Sequence, residues 1–107
     1  MKKEKDIFPG HFEKIKEKHP DFIEAVEKLG KVVRKTGPLQ EKVSLLVQLA
    51  AAVAVRAEGS VHSHTRRALK IGLSPDEIRH AVILLTSTIG FPAVAAALSW
   101  VDDVIEG

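Results

Sequence analysis

Cysteine is absent from all 107 residues, which excludes disulfides, thiolate nucleophiles and cysteine-ligated metals. Its absence also fits a reducing compartment. Aromatic residues are few, at 5%. Phe91 and Trp100 read as core or interface residues, with no stacking box for a ligand around them. No charge of one sign dominates. The formal net charge is +2, and the pI near 9.0 reflects a small excess of lysine and arginine. That excess is too weak to imply nucleic acid. The longest apolar run, Leu45 to Val55 with Gln48 as its sole polar residue, falls short of the roughly 20 residues needed to span a bilayer. The first residues, MKKEKDIFPGHFEKIKEKH, lack the apolar block of a secretion signal, so a cytoplasmic location is expected, with no membrane partner. There is no sustained period-two alternation, low-complexity region or clear internal repeat.

Against these absences, the chain is 45% hydrophobic and 28% charged, a globular balance. Its length fits a single domain, residues 1–107, read as an N-terminal helical extension over 1–37 and a core over 38–107. Periodicity and punctuation predict an all-α fold of about six helices. A short charged helix follows Pro9-Gly10 and runs to about Lys18. Pro20 opens a second helix, with Phe22, Ile23, Val26, Leu29, Val32 and Val33 on one stripe, ending at Gly37-Pro38. The third runs from near Leu39 to about Ala57, buried on nearly all sides, and Gly59 interrupts the chain. The fourth carries Ser60 to about Ile71, with Gly72 as its stop. Ser74 and Glu77 form a capping box around Pro75, opening a fifth helix to about Thr88. After Gly90-Phe91-Pro92 the sixth holds Ala93 to about Ile105.

Alanine concentrates in two of these helices: Ala50, Ala51, Ala52 and Ala54 in the third, and Ala93, Ala95, Ala96 and Ala97 in the last. Small side chains permit close helix approach. A chain this short cannot surround two such helices, so a homo-oligomer is expected.

On the fourth helix Ser60, His64, Arg67 and Ala68 continue one face. His62 points almost opposite to His64, which makes the pair a poor chelate, and no other metal spacing occurs. No metal and no cofactor are therefore expected. Each polar residue has a structural reading beside a functional one. Ser60 reads as the N-cap of the fourth helix, His64 as a hydrogen-bonded interface residue, and Gln48 as the donor or acceptor of a structural bond with pocket lining as the alternative. Arg66 and Arg67 read as a solvated face, and Glu58 as a surface partner of His62 one turn on. Ala68, Gly72 and Ile78 have helix-turn-helix spacing. The would-be recognition helix starts Ser74-Pro75-Asp76-Glu77, with carboxylates where phosphate contacts should fall, and this argues against DNA.

The stretch Glu58 to Gly72, EGSVHSHTRRALKIG, followed by LSPDEI, resembles the active-site segment of the carboxymuconolactone decarboxylase and alkylhydroperoxidase D-like family. The matching features are His64, Ala68, Gly72 and the Ser74 to Ile78 helix start, and the likeness is strongest over Glu41 to Val104. The resemblance implies the all-helical alkylhydroperoxidase D-like fold, assembled as a homotrimer or homohexamer. The peroxidase branch places its two cysteines at Ala57 and Ser60 and its relay glutamate at Leu45, so thiol peroxidase chemistry is excluded here even where a peroxiredoxin-type family label would assign it. The decarboxylase branch also lacks the cysteine pair. It implies a lyase-like acid–base role for His64 on a small carboxylate or carbonyl compound. Arg67 or Arg66 would hold the carboxylate, and Ser60, Gln48 and Glu58 complete the expected binding positions. A noncatalytic helical oligomer that kept the fold and lost the chemistry is the alternative.

Overall fold

The computed structural model describes the backbone from Lys3 and the side chains from His11 to the C-terminus at Gly107. Among the described residues every regular element is helical: α1 (Lys3–Lys18), α2 (Pro20–Arg34), α3 (Glu41–Ala54), α4 (Glu58–Lys70), α5 (Pro75–Ile83), the single turn α6 (Thr86–Ile89) and α7 (Phe91–Ile105). They fall into two compact units, one up to Leu39 and one from Gln40 to Gly107.

The first unit is the pair α1 and α2. Helix α1 does not wait for Pro9-Gly10, as the sequence suggests, but is already helical from Lys3. Pro20 opens α2 as expected, and Lys31 and Arg34 sit in its last turn, where cations complement the helix dipole. The helix closes ahead of Gly37-Pro38, where the Lys35 N–H donates to the Val32 carbonyl (3.1 Å) and the Thr36 N–H to that of Val33 (3.3 Å). Of the anticipated apolar stripe only Ile23 is buried. Phe22, Val26, Leu29, Val32 and Val33 are all exposed, Leu29 at 62%.

The second unit is built around α4, which packs against α3 on one side and α7 on the other, with α5 closing against α3 and α7. Helix α3 buries Leu45, Leu49, Ala52 and Val53, the single stripe of a 3.6-residue period. Within one chain Val43, Val47, Ala51 and Ala54 face outward, so the burial on nearly all sides expected of this helix would need a second copy of the chain. The alanines divide in the same way. Ala52, Ala93 and Ala97 are in the core and Ala50, Ala95 and Ala96 are half-buried.

The break after α3 falls at Arg56 rather than Gly59. Arg56 adopts φ 59°, its N–H donates to the Val53 carbonyl (3.0 Å), and the Ala57 N–H donates to the Ala52 carbonyl (2.9 Å). That pair of bonds is a Schellman stop with arginine where glycine usually stands. Helix α4 then begins at Glu58, so Gly59 and Ser60 lie inside its first turn. Ser60 is not the N-cap; Ala57 holds that position without a side-chain bond. Gly72, at φ 99°, terminates α4 as expected. Its N–H reaches the Leu69 carbonyl and the Leu73 N–H reaches that of Ala68, with Leu73 buried.

The capping box at α5 is present in both directions. The Glu77 N–H donates to Ser74 Oγ (3.0 Å) and the Ser74 N–H to Glu77 Oε1 (2.8 Å). The expected continuous helix to Thr88 is instead split into α5 and α6. At the break Thr86 Oγ1 donates to the Ile83 carbonyl (2.7 Å). Arg79 ties α5 to the end of α7 through Asp102 (3.0 Å) and Glu106 (3.7 Å). Trp100 packs on the core, whereas Phe91 is exposed.

Candidate functional site

An α-helix turns about 100° per residue, so His62 and His64 leave α4 roughly 200° apart in direction. The structure gives them unlike surroundings. His62 is fully buried and His64 is half-buried. The neighbourhood expected between His62 and Glu58 is present, and a contact from a second helix joins it. His62 Nε2 lies 3.0 Å from Asp103 Oδ2 of α7, with the imidazole fully shielded and the Asp103 side chain 51% exposed. Asp102 turns to Arg79 and its neighbour Asp103 turns to His62, so adjacent carboxylates serve different helices.

Glu58 joins this cluster. As the first residue of α4 it stands one turn before His62 on the same face, not ahead of the helix. Ligand atoms from Glu58, His62 and Asp103 all lie within 4.8 Å of one another, with the histidine at the base and both carboxylates at the surface. Among the described residues this is the group whose composition suits a cation. His80 is exposed on α5 and does not enter the cluster. Arg66, one turn beyond His62, is half-buried, and its Nη1 is shielded without a hydrogen-bond partner among the described residues.

The other flank of α4 carries the remaining expected residues. Ser60 and Arg67 are exposed and bracket the half-buried His64, whose Nδ1 is shielded from solvent. Helical geometry therefore keeps Ser60, His64 and Arg67 together and sends Glu58 and Arg66 to the His62 flank. Gln48, half-buried on α3, donates from Nε2 to Ser44 Oγ (2.9 Å) and to the Ser44 carbonyl (3.2 Å), the structural bond anticipated for it. Leu45 sits in the core at 4% exposure, so no carboxylate relay operates from that position. Sequence reasoning missed Asp103 altogether. The only signal for it was a carboxylate near the end of an apolar helix, and nothing local linked that helix to His62.

Comparison with known proteins agrees with the segment singled out above. The profile of the carboxymuconolactone decarboxylase family matches residues 20–103. An uncharacterized protein of Methanocaldococcus jannaschii is 29% identical over 92 residues, covering 86% of each chain. No solved structure matches the chain. Among the described residues no helix is long and apolar enough to cross a membrane.

Proposed function

Because the chain belongs to the carboxymuconolactone decarboxylase family, we propose that it is a cysteine-independent acid–base enzyme of lyase type, acting on a small carboxylate or carbonyl compound through His64. The observation that carries this reading is the placement of half-buried His64 between exposed Ser60 and Arg67 on one flank of α4. Decarboxylation needs a cation to hold the departing carboxylate and an acid to protonate the carbanion left behind. Arg67 supplies the first with a planar fork of donors and His64 the second, since imidazole exchanges protons near neutral pH. Ser60 is close enough along the helix to bond a substrate oxygen. Glu58 and Gln48 are left out of this arrangement, the first by its position on the opposite flank and the second by its bonds to Ser44.

The protein works as a homo-oligomer in this reading, a trimer or hexamer. The exposed apolar stripe of α2 and the exposed valines of α3 support that assembly. The test is turnover of a panel of small lactones, keto acids and carboxylates by the wild type, His64→Gln and Arg67→Ala. His64→Gln is expected to lose on the order of 10²-fold or more in rate, the usual share of a general acid, with its melting temperature retained. Arg67→Ala should raise KM more than it lowers kcat if it binds ground state and transition state alike. Undiminished turnover by His64→Gln would sink the assignment. Failure of every compound to react with or stabilise the wild type would favour the noncatalytic oligomer.

A further inference from the structure

We propose that Glu58, His62 and Asp103 form a binding site for a first-row divalent cation of the zinc type, on the flank of α4 opposite His64. The donor set is one imidazole nitrogen and two carboxylate oxygens, drawn from α4 and α7 and converging within 4.8 Å. Such a mixed nitrogen and oxygen set suits zinc, cobalt or manganese, and its three protein ligands leave a position for water.

The geometry is close to what an ion requires. Zinc bonds of about 2.0–2.1 Å to nitrogen and oxygen put tetrahedral donors roughly 3.3 Å apart. His62 Nε2 and Asp103 Oδ2, at 3.0 Å, already stand near that separation. Glu58 has to close the remaining distance, and as an exposed residue it is able to change rotamer. The imidazole is the fixed element. It is fully buried on a helix held between α3 and α7, so its Nε2 edge is preoriented toward the two carboxylates.

Binding has a defined proton balance. Nε2 now shares a proton with Asp103 Oδ2, and the cation replaces that proton. A neutral ring moves its proton to Nδ1, and a protonated ring releases one proton to solvent. Two features oppose the ion. Glu58 lies at the positive end of the α4 dipole, and Arg66 follows His62 by one turn. Two carboxylates against one arginine and a partial helix charge leave the balance favourable to a cation, with an affinity below that of a closed four-ligand site.

The test is calorimetric titration of the full chain, stripped with chelator, with Zn2+. The visible spectrum of the Co2+ form serves as a second readout, since its intensity distinguishes four-coordinate from six-coordinate cobalt. Glu58→Gln and Asp103→Asn alter exposed groups and preserve shape, so both are expected to keep the fold, checked by circular dichroism. One Zn2+ per chain is expected, with affinity falling on the order of tenfold or more in each variant. His80→Ala, remote from the cluster, should bind as the wild type does. The proposal is overturned by the absence of saturable 1:1 binding, or by binding that survives both carboxylate changes unaltered. A six-coordinate cobalt spectrum that is insensitive to Asp103→Asn would mark the ion as bound elsewhere on the surface.

Discussion

Replacing His62 by alanine should damage the protein far more than replacing His64, although His64 carries the resemblance to the family. The His62 side chain is fully buried and makes a 3.0 Å contact to Asp103. Its removal deletes a ring from a packed interior. Leucine- or phenylalanine-to-alanine changes in such places cost about 2–5 kcal/mol, and an imidazole, being polar, falls toward the lower part of that range. Loss of the hydrogen bond adds roughly 1 kcal/mol. Asp103 is half-exposed, so water takes up its freed oxygen and no unpaired buried charge is left behind. The sum is about 3–4 kcal/mol. At about 4–8 °C per kcal/mol for a domain near this size, His62→Ala should melt roughly 12–32 °C below the wild type. His64 is only half-buried, so His64→Ala should cost less than about 1 kcal/mol, a shift of no more than about 8 °C. The assay is thermal unfolding followed by circular dichroism, with chelator present so that no bound cation contributes. Protein concentrations should be matched and light scattering used to monitor assembly, because oligomer melting depends on concentration. A His64→Ala protein that melts as low as His62→Ala, or lower, would refute the division of labour between the two flanks of α4.

The capping box predicts that Ser74→Ala lowers stability by about 1 kcal/mol, measurable by urea unfolding at neutral pH. The bond from the Ser74 N–H holds the Glu77 carboxyl below its ordinary value, opposed by desolvation and aided further by the Ser74 side chain and the charge of Lys42. A depressed folded-state value means that this contribution is present above the unfolded-state value and is lost as pH falls through the folded one. Glu77→Gln should therefore flatten part of the acid limb of the stability profile. Arg56→Gly should raise the melting temperature slightly, since a non-glycine residue at φ 59° carries about 1 kcal/mol of strain, partly offset by the greater freedom of glycine when unfolded; a lower melting temperature would count against a strained stop. Leu29→Glu with Val33→Glu on α2 should reduce the mass seen by light scattering without unfolding the helices, and an unchanged mass would remove that stripe from the subunit interface.

Features whose cause lies within a turn or two of chain were legible in the sequence. The Ser74 to Glu77 box and the glycine stop at Gly72 each close hydrogen bonds between near neighbours, so residue type and spacing suffice to specify them. The residues from His64 to Ile78 likewise carry the family. Where the same local rules failed, a competitor acted that spacing does not reveal. Arginine took a glycine's place at residue 56, at a φ of 59°. How many faces of α3 are covered was equally invisible, because a run of small apolar residues suits a core and an interface alike.

The sequence by itself determined the all-helical class, the positions of most helix ends, the family, and the loss of its thiol chemistry, since a missing cysteine needs no structure to be noticed. Only the tertiary structure decided which histidine is buried and what it meets. His62 and Asp103 are 41 positions apart, and their contact follows from α4 packing against α7. Helical periodicity can set the direction in which His62 leaves α4, but it carries no information about the helix waiting on that side, and the union of Glu58, His62 and Asp103 exists only once the two helices are packed.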